Sequence, residues 1–431
     1  MEYYKIRGEH PLYGTLHTEG AKNAVLPEIA AAILTGEPVY LENVPELSDV
    51  ENMSRAAEIL GTEVRHSDGT LILDASAVSP NPIPYESACK LRTSFLFAGP
   101  LLARFGYMKI SMPGGCNIGN RPVDLHIKGF EKMGAHVVCD SGFVEAHVCG
   151  CLTGAEIYLD FPSVGATENL MMAACLAKGT TVLLNAAQEP EIRDLASLLG
   201  KMGAKIFIDE GERIVIEGVK HMQGCTHKVM PDRIEAGTYM IAAAATGGDV
   251  TIDGIDSQLL HPISAKLAES GVGILEMPNC VRIKANGGIR AVDIKTLPYP
   301  GFPTDLQAQM TAFLTMAQGT GIVTETVFEN RFNHICELCR MGAGIRLEGR
   351  SAIIDGGKIL TGTTVTAKDL RAGAALIIAA LCARGETLVF GLEHIDRGYS
   401  NLQKKLENLG GKIERCRDMS KDCETCSTLD Y

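Results

Sequence analysis

A chain of 431 residues, 46% apolar and 21% charged, is too long for one ordinary hydrophobic core and reads as a globular protein of two domains of roughly 200 residues each. Its formal net charge of −12 argues against general binding to nucleic acid or to an anionic membrane, so cations needed for an anionic ligand must be gathered in a cleft. No apolar signal core opens the chain, and the longest apolar run, 372–383, is too short to span a bilayer; a cytoplasmic protein with its 14 cysteines reduced is expected.

In chain order, segment 3–16 precedes the first repeated unit and is expected to cross over to complete the second domain. An Ala-rich run at 22–36 then predicts a buried helix closed by Gly36 and followed by a β-branched strand. The same unit recurs at 92–106, 166–179, 235–247, 305–319 and 370–385, a period of roughly 70 residues that marks each repeat as a small α/β unit. A second helix follows in each, closing at Gly61, Gly134, Gly203, Gly271, Gly342 and Gly410. Ser48 with Glu51 reads as a capping box on the first of these, and Leu195, Leu198, Leu199 and Met202 form one apolar face of the third. Strands at 205–208 and 213–216 flank a turn and predict a hairpin. Six units group as three plus three, giving an α/β fold with helices inside and strands outside. The expected lobes are 22–230 and 1–21 plus 231–415, with a linker at 228–233 and a polar, disordered tail at 416–431.

Between the second unit's helices lies Pro113-Gly114-Gly115-Cys116-Asn117-Ile118-Gly119-Asn120-Arg121-Pro122, where glycines allow a flap and Arg121 can lower the pKa of the Cys116 thiol. A surface turn with a small apolar cysteine is the bland alternative. Two CxxC pairs, Cys336/Cys339 and Cys423/Cys426, stand too far apart to form a compact zinc site, and no metal is expected. Asp305 after Pro303-Thr304 has the setting of a helix N-cap.

These repeats carry further motifs: Gly20-Ala21-Lys22-Asn23-Ala24, Ser163-Val164-Gly165-Ala166-Thr167, Pro231-Asp232-Arg233-Ile234-Glu235, Phe302-Pro303-Thr304-Asp305, Thr326-Val327-Phe328-Glu329-Asn330-Arg331, Asp369-Leu370-Arg371-Ala372 and His394-Ile395-Asp396-Arg397-Gly398-Tyr399. With the cysteine segment, and in this order from about Ile6 to Arg415, they resemble the enolpyruvyl transferases, in particular the branch whose acceptor is UDP-N-acetylglucosamine. The shikimate 3-phosphate branch usually has a Gly-Ser-Lys-Ser start and lacks the cysteine, and fits less well. A non-catalytic relative that binds nucleotide sugar would be favoured by loss of Cys116, Asp305 or Arg397, and all three are present.

The resemblance implies a two-domain inside-out α/β barrel that moves the enolpyruvyl group of phosphoenolpyruvate to the 3′-hydroxyl of UDP-N-acetylglucosamine, a step toward peptidoglycan, without cofactor or metal. It makes the chain a monomer or weak oligomer with no nucleic-acid or membrane partner. It implies Cys116 as acid, Asp305 as base, Lys22, Arg121 and Arg397 as cations for phosphate, and Arg331 and Arg371 for carboxylate. Asn23, Arg92, Arg121, Pro122, Val123, Asp124, Leu125, Ser163, Val164, Gly165, Asp305 and Val327 match nucleotide-sugar contacts. Phe161-Pro162, Cys89 and Gln188 stand where relatives often carry basic residues, which throws diphosphate binding onto backbone groups such as those of 163–165. His126 and His394 read as positioning residues. Cations on both lobes are expected to repel one another and hold the empty cleft open.

Overall fold

The computed structural model describes residues 1–67, 69–80, 92–112, 123–209, 213–285 and 288–417, without the side chains of Arg92 and Thr93. Helices come in pairs along the chain: α1 (Lys22–Ala31) and α2 (Ser48–Ile59), α3 (Ala98–Phe105) and α4 (Asp124–Lys132), α5 (Val164–Cys175) and α6 (Pro190–Lys201), α7 (Arg233–Ala245) and α8 (His261–Glu269), α9 (Gln307–Met316) and α10 (Ile335–Arg340). The last pair is α11 (Leu370–Cys382) and, after the one-turn α12 (Leu392–Ile395), α13 (Leu402–Asn408). The first member of each pair is a central helix. Residues 24–31 of α1, 233–244 of α7 and 370–381 of α11 are buried without a break, as a helix with neighbours on all sides must be. The second members are amphipathic, and in α6 Leu195, Leu198 and Leu199 lie on the buried face as the spacing predicts.

Each second helix closes on its expected glycine, and all six of these glycines have φ between 90° and 103°, where a side chain would be strained. Inner strands such as Val39–Glu42, Phe143–His147 and Ser351–Asp355 alternate buried with more exposed residues, so one sheet face covers the helices and the other meets solvent. Among the described residues there are six sheets, five of four strands and one of three. The N-terminal strand Glu2–Arg7 lies between Glu386–Phe390 and Lys412–Arg417, and Tyr13–His17 pairs parallel with Asp249–Asp253, so the start of the chain completes sheets of the second lobe. Thr226–Lys228 pairs in turn with Val39–Glu42. The expected hairpin forms from Lys205–Ile208 and Ile214–Glu217. Two hydrophobic cores result, one drawn from residues 21–229 and the other from 4–16 and 234–413.

Asp232 ties together the two places where the chain passes between these cores. Its Oδ1 accepts from the N–H groups of Ile234 and Glu235 at 2.8 and 2.9 Å, capping α7, while Oδ2 accepts from Lys22 N–H at 3.2 Å. Asp232→Ala is therefore expected to cost about 1–2 kcal/mol, measured as a lower urea midpoint with an unchanged slope.

Two expectations are corrected. The Ser48–Glu51 capping box does not form: Leu47 is the N-cap without a side-chain bond, and Ser48 is the first helical residue. Its N–H is taken by Asp396 O of the other lobe at 3.3 Å, and Glu51 N–H by Leu47 O, so the two donors that the box would use are already bonded. The tail starts later than 416, because Cys416 and Arg417 pair with Tyr3 and Glu2 across an edge that the N-terminal strand leaves available. Residues 418–431, with Cys423 and Cys426, lie outside the described residues, while Cys336 and Cys339 are exposed on α10.

Candidate active site

Buried central helices bring their N-termini to the seam between the lobes, and the charged residues at those ends meet there. Lys22 opens α1, and its Nζ donates to Asp49 Oδ2 at 3.0 Å. Arg397, in the turn after α12, reaches the same carboxylate from the other lobe, with Nε to Oδ1 at 2.8 Å and Nη2 to Oδ2 at 3.3 Å. One carboxylate thus holds two cations, bidentately in the case of the guanidinium.

A second carboxylate does the same a short distance away. Asp305 lies in the 3₁₀ turn Thr304–Leu306 that leads into α9. Its Oδ1 accepts from Arg331 Nη2 at 2.5 Å and its Oδ2 from Arg371 Nη2 at 2.8 Å, with Asn23 Nδ2 of the first lobe at 3.4 Å. Asp305 caps no helix with its side chain, for the N-cap position of that turn is Pro303. Arg371 is aimed by its backbone: Asp369 caps α11 by accepting from Arg371 N–H at 3.0 Å and Ala372 N–H at 2.8 Å. Its Nη1 also donates to Tyr399 Oη at 3.1 Å. Arg331 Nη1 donates to Thr304 Oγ1 at 2.8 Å, and its guanidinium carbon lies 5.0 Å from the centre of the Phe328 ring.

The two clusters share one field. Burial opposes the charge of Asp305, but Arg371 and Arg331 outweigh it and, with Lys22, hold the carboxyl well below the usual carboxylate range. Burial likewise opposes Asp49, and Lys22 with Arg397 still bring it below its ordinary value. Burial pulls Lys22 down, and proximity to Arg371 and Arg397 adds to this against the pull of Asp49. The expected repulsion between cations in an empty cleft is thus offset by Asp49 and Asp305, and Arg397–Asp49 and Asn23–Asp305 join the lobes. A further buried pair across the seam is Arg233 with Glu191, Nε to Oε1 at 2.9 Å and Nη2 to Oε2 at 3.2 Å.

Toward the first lobe, Ser163 is the N-cap of α5, its Oγ accepting from Ala166 N–H at 3.4 Å, with Val164 and Gly165 as the first helical residues. Val123 precedes α4, where Asp124 is exposed and Leu125 half-buried. His126 on α4 is buried, and Asn169 Nδ2 stands 3.1 Å from its Nδ1, so that nitrogen accepts and the ring is neutral; burial pushes its pKa down to about 4. It packs edge-on against Phe95 and joins α4 to α5. Val327 is half-buried, its N–H held by Glu325. Cys116, Arg121, Pro122, Asn117, Asn120 and Cys89 lie outside the described residues, as does the side chain of Arg92. Among the described residues, one group has the composition of a metal site, Glu28, Asp194 and His227. Lys201 Nζ lies 3.1 Å from His227 Nδ1, while Nε2 faces Asp194 and Glu28 at 3.1 and 3.3 Å; burial opposes charge on the ring, but these two carboxylates outweigh it and raise its pKa to about 9.

The sequence profile of the EPSP synthase (3-phosphoshikimate 1-carboxyvinyltransferase) family matches residues 6–406. The chain belongs to the enolpyruvyl transferase family. It is 53% identical to the UDP-N-acetylglucosamine 1-carboxyvinyltransferase 2 of Carboxydothermus hydrogenoformans over 97% of this chain and 100% of that one. To the UDP-N-acetylglucosamine 1-carboxyvinyltransferase 1 of Halalkalibacterium halodurans it is 52% identical over 98% and 97%. The fold matches the enolpyruvyl transferase NikO of Streptomyces tendae with a TM-score of 0.87 at 24% identity, covering 96% and 98% of the two chains. It matches the EPSP synthase of Acinetobacter baumannii with a TM-score of 0.75 at 18% identity, covering 97% and 100%. The two-domain inside-out α/β architecture is that of this family.

In this member of the family, Lys22, Asn23, Asp305, Arg331, Arg371 and Arg397 come together from segments scattered along the chain. Ser163, Val164, Gly165, Val123, Asp124, Leu125 and Val327 belong to the adjoining helix starts and loops. Asp49 and Glu325 are the site residues that the sequence reading missed. Asp49 lies between Ser48 and Glu51 and belongs to none of the motifs, and a glutamate closing a strand carries no motif of its own.

Proposed function

We propose that this chain transfers the enolpyruvyl group of phosphoenolpyruvate to the 3′-hydroxyl of UDP-N-acetylglucosamine with release of phosphate, the first committed step of peptidoglycan precursor synthesis. The observation that carries the reading is the pairing of four cations by two carboxylates at the lobe seam, in a chain 52–53% identical to enzymes named for that transfer. Lys22 and Arg397 take the phosphate in place of Asp49, and Arg331 and Arg371 take the carboxylate in place of Asp305. Arg121 adds a further cation on the phosphate side. Ser163, Val164 and Gly165 offer the start of α5 to the diphosphate, and Asn23, Arg92, Pro122, Val123, Asp124, Leu125 and Val327 complete the nucleotide-sugar contacts.

Asp305 accepts the proton of the sugar hydroxyl as its oxygen bonds to C2 of phosphoenolpyruvate, and Cys116 gives a proton to C3. The bond from C2 to the phosphate oxygen then breaks as the Cys116 thiolate takes a proton back from C3, which restores the double bond, and the departing phosphate takes the proton held by Asp305. A carboxylate gripped by two guanidiniums is a weak base. When the substrate carboxylate draws Arg331 and Arg371 to itself, Asp305 is released and its basicity rises, so the base is armed only when phosphoenolpyruvate is in place.

The test is phosphate release from phosphoenolpyruvate with UDP-N-acetylglucosamine or shikimate 3-phosphate as acceptor. Release with the first alone is expected; release with the second alone would reverse the reading. In the same assay, Arg397→Ala is expected to weaken phosphoenolpyruvate far more than nucleotide sugar, by roughly 10- to 100-fold for a lost charge-assisted bond. Equal weakening of both would remove Arg397 from the phosphate.

A further inference from the structure

Glu325 closes the strand Thr320–Thr324, and only 1% of its surface is exposed. A carboxylate so placed needs its oxygens satisfied, and four neutral donors do this. Oε1 accepts from Thr296 Oγ1 at 2.9 Å, Val327 N–H at 2.8 Å and Phe328 N–H at 3.1 Å, and Oε2 accepts from Thr304 Oγ1 at 2.8 Å. Both hydroxyls have a fixed direction. Thr296 Oγ1 itself accepts from Thr326 N–H at 2.9 Å, and Thr304 Oγ1 accepts from Arg331 Nη1 at 2.8 Å, so each has one proton left, and it points at Glu325.

The consequences fall on Arg331. Its Nη1 is held by a threonine that Glu325 orients, its face lies against the ring of Phe328, whose amide Glu325 also holds, and its Nη2 is thereby turned to Asp305. We propose that Glu325 is a positioning residue, which fixes the plane of the Arg331 guanidinium, and through it the geometry of Arg331 with Asp305, by holding Thr304 and the 327–328 amides at once. Its effect on turnover rests on the function proposed above; its effect on the Arg331–Asp305 pair does not.

Glu325→Gln keeps an oxygen for the two amides and turns an NH₂ toward the Thr304 hydroxyl, donor against donor. Thr304→Val removes the same link without changing charge, and Thr296→Val removes a different bond to Glu325. Expected are losses of ~10²-fold in kcat/KM for phosphoenolpyruvate in each of the first two variants, the scale of a small misplacement at a reacting centre. The double variant should be no worse than the worse single, because one link is broken once. Thr296→Val should lower the melting temperature and leave kcat/KM nearly unchanged. Losses that multiply, or an equal loss in Thr296→Val, would make Glu325 a structural residue and overturn the proposal.

A readout independent of turnover is the ¹³C titration of the Asp305 carboxyl in wild type and Thr304→Val. Asp305 is faced by Arg371 from α11, Arg331 from the loop after Thr320–Thr324, Lys22 from α1 and Arg233 from α7. Loosening Arg331 leaves less positive charge at the carboxyl, so its midpoint should rise. In Glu325→Gln the lost negative charge acts in the opposite sense, which is why the comparison uses the valine variant. An unchanged midpoint overturns the positioning role. A raised midpoint in a protein that releases no phosphate would sink the proposed reaction and leave the positioning role standing.

Discussion

Asp305→Asn is expected to slow turnover by the ~10²–10⁴-fold typical of losing a general base, while phosphoenolpyruvate binds at least as tightly as to wild type. The second half of that expectation comes from the charges. In the empty site the Asp305 carboxylate neutralises Arg331 and Arg371 at 2.5 and 2.8 Å, and in the proposed reaction a substrate carboxylate displaces it. An amide of the same shape competes poorly for two guanidiniums, so the incoming anion meets less opposition. The same loss leaves buried cations uncompensated, and the free variant should be less stable than wild type. Thermal melts should then show a larger upward shift on adding phosphoenolpyruvate in the variant than in wild type. Near-normal turnover would take the base role away from Asp305, and weakened phosphoenolpyruvate binding would refute the competition between the two carboxylates.

What the sequence made legible was what depends on local backbone and short spacing. Glycines at 61, 134, 203, 271, 342 and 410 mark helix ends because a left-handed residue is needed at those points whatever the rest of the chain does, and all six are left-handed in the structure. The cations were legible through the motifs around them. Their counter-ions were not. Asp49 meets Arg397 across 348 residues and between lobes, a contact that no periodicity or capping pattern encodes. Without Asp49 and the double grip on Asp305, a cleft of mutually repelling cations was the natural reading, and the structure replaces it with a site already filled by its own anions.

Cys116→Ser is expected to abolish nearly all turnover, and Cys116→Asp to retain a substantial part of it with the optimum moved to lower pH. The proposed step protonates the C3 methylene carbon, and the donor must be acidic enough to give up its proton near neutral pH yet still hold one when substrate arrives. A thiol that titrates near ~8.5 meets both conditions, whereas a serine hydroxyl is far too weak an acid. A carboxyl with a reference value near ~3.9 is acidic enough but mostly ionised at neutral pH, so the aspartate variant gains activity as pH falls toward that value and loses it as pH rises. The reaction also brings a phosphate beside the donor, whose negative charge disfavours ionisation and keeps more of the carboxyl protonated in the complex than in the free protein. The limb on which activity falls with rising pH should therefore sit higher in kcat than in kcat/KM for the aspartate variant. Reactivity toward electrophiles separates the two acids: an epoxide that alkylates a thiolate should inactivate wild type and leave Cys116→Asp untouched, since a carboxylate is the poorer soft nucleophile. A serine variant as active as the aspartate one, or an epoxide adduct mapped to another of the 14 cysteines, would remove Cys116 from the reaction.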